Sequence, residues 1–406
     1  MTLFESSDVL GGRARSFTDP ASGLLIDNCQ HVILGCCTEA IGFLRKIGSF
    51  DQVEFHPKVN VVDPSPQSGC GERLSIQASW LPAPLHLLPA IAKTGYFPIQ
   101  DKLALARVIT GMLARKPVQW ERAADYLDSL GCPQSLVDRL IEPVIVSALN
   151  ESTREASARY MRMVLVESLV KGKRSYQLGV PTCPHRNLIE DAAMRWLQSW
   201  GCELRLSTRV AKLHTAGGLV RQMLLASGER LTFDAYVTAV PPSTLQRLGL
   251  STKGGRRLGW RPIVSAHLFF HAPVPTSEPA CVVGEPFGWV FSKKPDVGYV
   301  QVVASAAEAL TDLDKGEILG LALRAARTAE PELTSIPLHR GVVYRAMNAT
   351  FATLSCDDHR PPAATSAGNL FLAGDWTATG WPATIESAVR SGRAAATALT
   401  GTARIS

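Results

Sequence analysis

Two short clusters at opposite ends of this 406-residue chain hold residue types that do chemistry together. The first is Glu5, followed by Gly11-Gly12-Arg13-Ala14-Arg15. A carboxylate at the end of a strand can accept hydrogen bonds from an adenosine ribose. Adjacent glycines let the backbone come close to a dinucleotide, and arginines neutralise its pyrophosphate. A surface strand followed by a turn and a basic loop would look similar. The second cluster is Gly374-Asp375, with Pro382, Thr384 and Ile385 downstream. A buried strand over 369–373, a glycine turn and a helix start would aim free backbone N–H groups at an anion or a carbonyl. Asp375 can hold a sugar-alcohol hydroxyl. Pro382 suits a first helical turn, because it lacks the N–H that would go unpaired there. An ordinary capped C-terminal helix would carry the same residues.

Both clusters need regular elements to hold them. Apolar spacing predicts a helix over 36–49 closed by Gly48, another over 187–200 closed by Gly201, and a third over 315–328. Residues 101–115 and 119–171 read as further helices, and 203–240 and 262–304 as short strands. The stretch from Trp80 to Pro89 is strongly apolar and broken by prolines, and 50–80 carries little signal. Apolar residues make up 46% of the chain and charged ones 19%, which supports a large core and excludes wholesale disorder. No apolar run approaches the roughly 18 residues of a membrane-spanning helix. Met1-Thr2-Leu3-Phe4-Glu5 has no basic, apolar leader pattern, so a cytoplasmic protein is expected. The net charge of +6 is spread without a dense basic cluster. That argues against nucleic acid and suits weak attraction to an anionic membrane surface. Nine scattered cysteines, with no Cys-x-x-Cys and no His-Glu-x-x-His, read as free thiols and not as a metal site.

Taken together, the two end clusters resemble the flavin-containing amine oxidase and phytoene desaturase superfamily, whose dinucleotide domain is assembled from both ends of the chain. Glu5 with Leu10-Gly11-Gly12-Arg13-Ala14 looks like its second-strand acid and Gly-Gly-Arg, and 372–392 looks like its C-terminal flavin motif. Within that superfamily the chain resembles the hydroxysqualene dehydroxylase family, also called squalene-associated FAD-dependent desaturases. The segments that carry this are Asp27-Asn28-Cys29-Gln30-His31, Leu81-Pro82-Ala83-Pro84-Leu85-His86 and the run from Gly374 to Glu386. The resemblance covers essentially the whole chain. That family has glycine where Cys29 stands and commonly a smaller apolar residue where Trp381 stands.

The resemblance implies an α/β, two-domain fold of amine-oxidase type. An incomplete Rossmann-type dinucleotide domain would come from 1–54, 181–250 and 346–406. A substrate domain would follow, helical and membrane-facing over 55–180 and with a mixed sheet over 251–345. The implied cofactor is FAD, held by Glu5, Gly11, Gly12, Arg13, Val210, Gly374, Asp375, Pro382, Thr384 and Ile385. The implied reaction is reductive removal of the hydroxyl of hydroxysqualene, with an isoprenoid lipid as substrate. The stretch 80–115 joins apolar residues to Trp80, Tyr96 and Phe97 and to Lys93, Lys102, Arg107 and Arg115, the composition of an interfacial segment with peripheral contact at the inner face of the cytoplasmic membrane; an internal helical roof is the rival reading. The reaction needs an acid for the departing hydroxyl, and His31 is the first candidate and Asp27 the second. A histidine bonding a backbone carbonyl is the rival reading of His31. Glu386 fits capping or local pairing better than catalysis, and His86 reads as a polar interruption of a channel or membrane-facing segment. The dinucleotide fingerprint would put a Gly-x-Gly-x-x-Gly about 20 residues before the ribose acid. Four residues precede Glu5, so a domain short of its first strand and glycine loop is expected. The rival functions are a carotenoid or phytoene-type desaturase, running in the oxidative direction, or another flavin amine oxidase-like enzyme, and a truncated, flavin-free polypeptide without activity.

Overall fold

The structure, a computed structural model, describes residues 1–65, 72–250, 258–355 and 359–403. Cys70 and Cys356 lie outside the described residues; seven other cysteines are free thiols. The parallel strands come from both ends of the chain and from its middle. Thr2–Phe4 pairs in parallel with Glu203–Arg205, setting Leu3 opposite Leu204. Tyr236–Thr238 pairs in parallel with Leu370–Leu372, setting Val237 opposite Phe371. The two pairs belong to separate sheets. The second edge of Leu370–Leu372 is closed by the loop that precedes it. Leu372 N–H donates to Ala363 O at 2.7 Å, and Ala364 bridges Phe371 in antiparallel sense. A strand edge left bare would expose unpaired N–H and C=O groups.

Seven strands form the largest sheet, in the order Leu338–Phe351, Trp260–Phe270, Tyr299–Ala304, Trp289–Lys294, Ala280–Val282, Lys58–Val62, Arg73–Gln77. It is mixed: Ala280–Val282 and Lys58–Val62 run parallel, and the other neighbours antiparallel. The first half of the expected helical stretch 55–180 therefore supplies two strands to this sheet. The reason is visible in Val59, Val61, Leu74 and Ile76, apolar at alternate positions and buried. Alternation also sorts the two faces of the central strands. Val264, Ala266, Leu268, Val300 and Val302 pack against the helix Lys315–Ala329. That helix starts with a capping box, Asp314 and Glu317 exchanging bonds of 2.8 Å, and its Ala322, Ala325, Ala326 and Ala329 let it lie close to the sheet. The opposite face carries buried Ser265, His267 and Gln301 and turns toward the 16–31 segment. There Phe17 meets His267 at 6.3 Å between ring centroids, and Asp19 pairs with Arg340 at 2.5 Å.

The helices from Leu88 to Leu169 pack an apolar core around Tyr126, Leu136, Ile145 and Met161 that also takes in Val59, Val61, Leu74, Ile76 and Cys281 of the sheet. The first helix, Thr38–Ile47, ends on Gly48 at φ +76° and packs against the last, Ile385–Ala403. Among the described residues no helix is long and apolar enough to cross a membrane.

Candidate active site

Folding joins the two end clusters directly. Arg13 Nη2 meets Asp375 Oδ1 at 2.5 Å, and Nη1 donates to Ala349 O at 2.8 Å. The guanidinium also lies over Phe351 and Trp260, 4.9 and 5.4 Å from their centroids. Arg13 thus bridges to a carboxylate that sequence reasoning assigned to a sugar hydroxyl. Gly11 and Gly12 both take positive φ, +98° and +61°, and a Cβ on Gly11 would stand 2.5 Å from Ala14 O. Only glycine permits that turn. Glu5 closes the turn after its strand: its Oε1 accepts from Ser7 N–H and Ser7 Oγ, both at 2.8 Å. Its carbonyl accepts from Thr208 N–H at 2.7 Å, which brings Val210, opening the strand Val210–Ala216, alongside.

The C-terminal turn is equally constrained. Gly374 has φ +126°, and a Cβ there would come within 2.5 Å of Trp376 Nε1. Trp376 is fully buried and donates to Val240 O at 3.0 Å. Gly374 N–H donates to Ser391 Oγ at 2.7 Å, locking the turn onto the last helix. That helix begins at Ile385, with Thr384 as its cap; Thr384 Oγ1 accepts from Ser387 N–H at 3.3 Å. Pro382 lies two residues before the cap and not in the first turn, because the threonine hydroxyl takes the capping role. Trp381 turns its ring over Arg390, 4.7 Å from the guanidinium carbon.

Between these clusters sits a knot of polar side chains. Asp27 Oδ1 accepts from Ser16 Oγ at 2.6 Å and from His185 N–H at 2.8 Å. Asn28 ties this strand end to the glycine turn, its Nδ2 donating to Arg13 O at 2.7 Å. His31 Nε2 donates to Asn28 Oδ1 at 3.2 Å, and its ring lies 4.7 Å from that of His185. Burial, with His185, Lys293 and Arg13 nearby, holds His31 well below the ordinary histidine range. Burial lowers His185 too, although Asp27 pulls the other way. Both imidazoles are therefore neutral near pH 7, and His31, the expected proton donor, carries no imidazolium proton to give. Cys29 turns into an apolar cluster with Phe291 and Val303, and burial pushes its thiol up to about 12.

Lys293, a residue sequence reasoning missed, also borders this knot. Its Nζ donates to Pro181 O at 3.2 Å. Burial lowers its pKa below the ordinary lysine value, while Asp27 and Cys183 oppose that shift. A partial signal existed: Trp289, Phe291 and Lys293 fall at alternate positions of one strand, although its register shifts between Ser292 and Lys294. His185, also missed, had no comparable signal.

Glu386 is a cap and not part of this knot. It is fully buried and accepts from Ala40 N–H at 2.8 Å and Glu39 N–H at 3.2 Å, in the first turn of Thr38–Ile47. Arg390 Nε completes its shell at 2.7 Å. His86 is fully buried beside Tyr176, and burial lowers its pKa.

Comparison with known proteins agrees along the whole length. The profile of the family described as flavin containing amine oxidoreductase matches residues 1–400. The chain is 30% identical to the hydroxysqualene dehydroxylase of Zymomonas mobilis, over 97% of this chain and 92% of that one. It is also 30% identical to the hydroxysqualene dehydroxylase of Sinorhizobium fredii, over 97% and 91%. It is 21% identical to the 15-cis-phytoene desaturase of Solanum lycopersicum, over 98% of this chain and 73% of that one. Among solved structures, a putrescine oxidase triple mutant superposes with a TM-score of 0.71 at 15% identity, covering 99% of this chain and 93% of the other.

Proposed function

The chain belongs to the flavin-containing amine oxidoreductase family and is an FAD-dependent oxidoreductase, and from that premise we propose that it removes the hydroxyl of hydroxysqualene reductively to give squalene. The observation that carries this reading is the 30% identity to hydroxysqualene dehydroxylases over 97% of the chain. The chain's own residues suit the cofactor. Gly12 leaves open space where a Cβ would stand, and His185 Nδ1 and Gln30 Oε1 are buried polar atoms without a protein partner. The residues that would hold FAD are Glu5, Gly11, Gly12 and Arg13 in the first turn, and Gly374, Asp375, Thr384 and Ile385 in the last. Val210 and Pro382 flank them. When bound in its reduced form, FAD supplies the hydride that replaces the hydroxyl on an allylic carbon.

Lys293 donates the proton with which that hydroxyl leaves as water. Donation leaves the amine neutral, so Lys293 itself does not repel the positive charge developing on carbon. His31 and His185, both neutral, add no repulsion. Trp289 and Phe291, stacked with centroids 6.0 Å apart, present π faces that stabilise such a charge without acting as bases. Asp27 keeps Lys293 charged until the hydroxyl arrives. The substrate is an isoprenoid lipid on this reading. The enzyme works in the cytoplasm with peripheral contact at the inner face of the cytoplasmic membrane, where such a lipid dissolves.

The test is product analysis. FAD-loaded protein reduced with dithionite under anaerobic conditions is expected to convert hydroxysqualene to squalene, read by gas chromatography and mass spectrometry. Phytoene offered to the oxidised protein is expected to remain unchanged. Dehydrogenated phytoene with no squalene from hydroxysqualene would instead make the chain a desaturase.

A further inference from the structure

Residues 352–355 and 359–363 tie the helical region to the last glycine turn. On one side Ser157 N–H donates to Thr353 O at 2.9 Å, and Ala156 bridges Leu354 in antiparallel sense. On the other, Ala378 N–H donates to Pro361 O at 2.8 Å and Leu372 N–H to Ala363 O at 2.7 Å. Arg360 stands beside the turn and is only 8% exposed. Its Nη1 donates to both Asp375 O and Trp381 O, each at 3.0 Å. One nitrogen thus pins the start and the end of the turn 375–381. The guanidinium carbon lies 5.1 Å from the ring centroid of Tyr160, on the helix Ala158–Leu169.

None of these partners is a carboxylate. A buried charge is costly unless an opposite charge compensates it. Arg139, also buried, has Asp63 at 2.7 Å. Arg360 pairs with no carboxylate of the described residues, and its Nε is buried without a hydrogen-bond partner. The acids of the turn and helix start do not cancel it. Asp375 is taken by Arg13 at 2.5 Å, and Glu386 by Arg390 at 2.7 Å. Arg360 is therefore the surplus positive charge at this turn. The start of the helix Ile385–Ala403 adds potential of the same sign. A turn with an unmatched buried cation suits a bound group that is negative, and favours it further as its charge grows.

We propose that Arg360 is a positioning residue of the flavin turn, which it fixes through two carbonyls while leaving there an uncompensated charge that favours the reduced, anionic cofactor over the oxidised one. Two electrons and one proton added to the oxidised ring leave it with one negative charge, and a protein charge nearby tunes that equilibrium. By linkage, a residue that binds both redox forms equally leaves the potential unchanged; only a preference for the reduced form raises it. The proposal rests on the seating of FAD at this turn and not on the choice of substrate. Midpoint potentials of the FAD-loaded protein are read by slow reduction with xanthine and xanthine oxidase against a reference dye. Arg360→Gln keeps a donor for the carbonyls and removes the charge. It is expected to shift the ratio of reduced to oxidised flavin about tenfold toward the oxidised form, a potential lower by about 30 mV for the two-electron couple. Arg360→Lys keeps the charge and should stay within about threefold of wild type. The proposal is overturned if Arg360→Gln keeps the wild-type potential, even with weaker FAD binding, because the residue then acts on both redox forms alike. It is equally overturned if Arg360→Lys falls as far as Arg360→Gln, because the guanidinium's shape and not its charge is then what counts. Should Arg360→Gln retain no flavin, Arg360→Lys decides: a wild-type potential supports the proposal, and the same loss of flavin overturns it. Gly374→Ala reports the seating separately. Wild-type FAD affinity in that variant would remove the cofactor from the turn and the proposal with it. Weakened affinity there, beside an unchanged potential in Arg360→Gln, would keep the seating and strike the proposal alone.

Discussion

Replacing Glu386 by alanine removes the acceptor that caps the first helix from the last. Three donors lose their partner: Ala40 N–H at 2.8 Å, Glu39 N–H at 3.2 Å and Arg390 Nε at 2.7 Å. Hydrogen bonds to a charged group contribute about 1.5–3 kcal/mol each. Removing the carboxylate also relieves its own cost of burial, so the three do not add in full. Arg390 is 30% exposed and regains water, whereas Ala40 is buried and does not. A net loss of about 3–4 kcal/mol follows, close to that of breaking a buried ion pair. Glu386→Gln keeps the shape and one acceptor oxygen, and its loss should be about 1–2 kcal/mol. Urea unfolding of the FAD-loaded protein, followed by circular dichroism, measures both. Turnover per bound flavin should stay at the wild-type level in each. A loss below about 1 kcal/mol for the alanine variant would refute the capping argument. So would a glutamine variant that unfolds like wild type but turns over about a hundredfold more slowly, because that is the behaviour of a catalytic acid.

Three further outcomes are expected. Lys293→Met should lower kcat by about 10²–10⁴-fold and His31→Gln by less than about tenfold, and an equal loss in the two would sink the assignment of the proton to the lysine. Wild-type activity should fall as pH rises through the Lys293 pKa, below the ordinary lysine value because of burial, since only the ammonium form donates. A double-mutant cycle of Arg13→Gln and Asp375→Asn, read by urea unfolding through Trp376 fluorescence, should give a coupling of about 1.5–3 kcal/mol. A coupling near zero would mean the bridge holds nothing together. Gly374→Ala forces a side chain into a +126° backbone and against the Trp376 ring. It should cost about 2–4 kcal/mol and much of the bound flavin; a variant with full flavin content and wild-type Tm would contradict that.

Much of the frame was legible in the residues. Helix ends at Gly48 and Gly201 were readable because a left-handed residue closes a helix most easily as glycine. The first and last turns were readable because their glycines permit backbone angles and approaches that a Cβ forbids. The strands Lys58–Val62 and Arg73–Gln77 were not. Prolines at 57, 64 and 66 hid their alternation, and the partner of the first is Ala280–Val282, more than 200 residues away. Local pattern carries no information about such a pairing.

The division at the site follows the same physics. Residue type and spacing alone determined that two glycine turns, an acid and a helix start from opposite ends of the chain could build a dinucleotide site. They also determined that 80–115 joins apolar, aromatic and basic residues. Only the tertiary structure decided which of these groups meet. Arg13 reaches Asp375 across 362 positions, Glu386 caps a helix 346 positions away, and Lys293 is brought within electrostatic reach of His31 and Asp27. It also shifted protonation: burial lowers the pKa of His31, His185 and Lys293 alike, and Asp27 opposes the shift at His185 and Lys293. A side chain's proton depends on burial and on the charges around it, and both are set by which distant segments pack together.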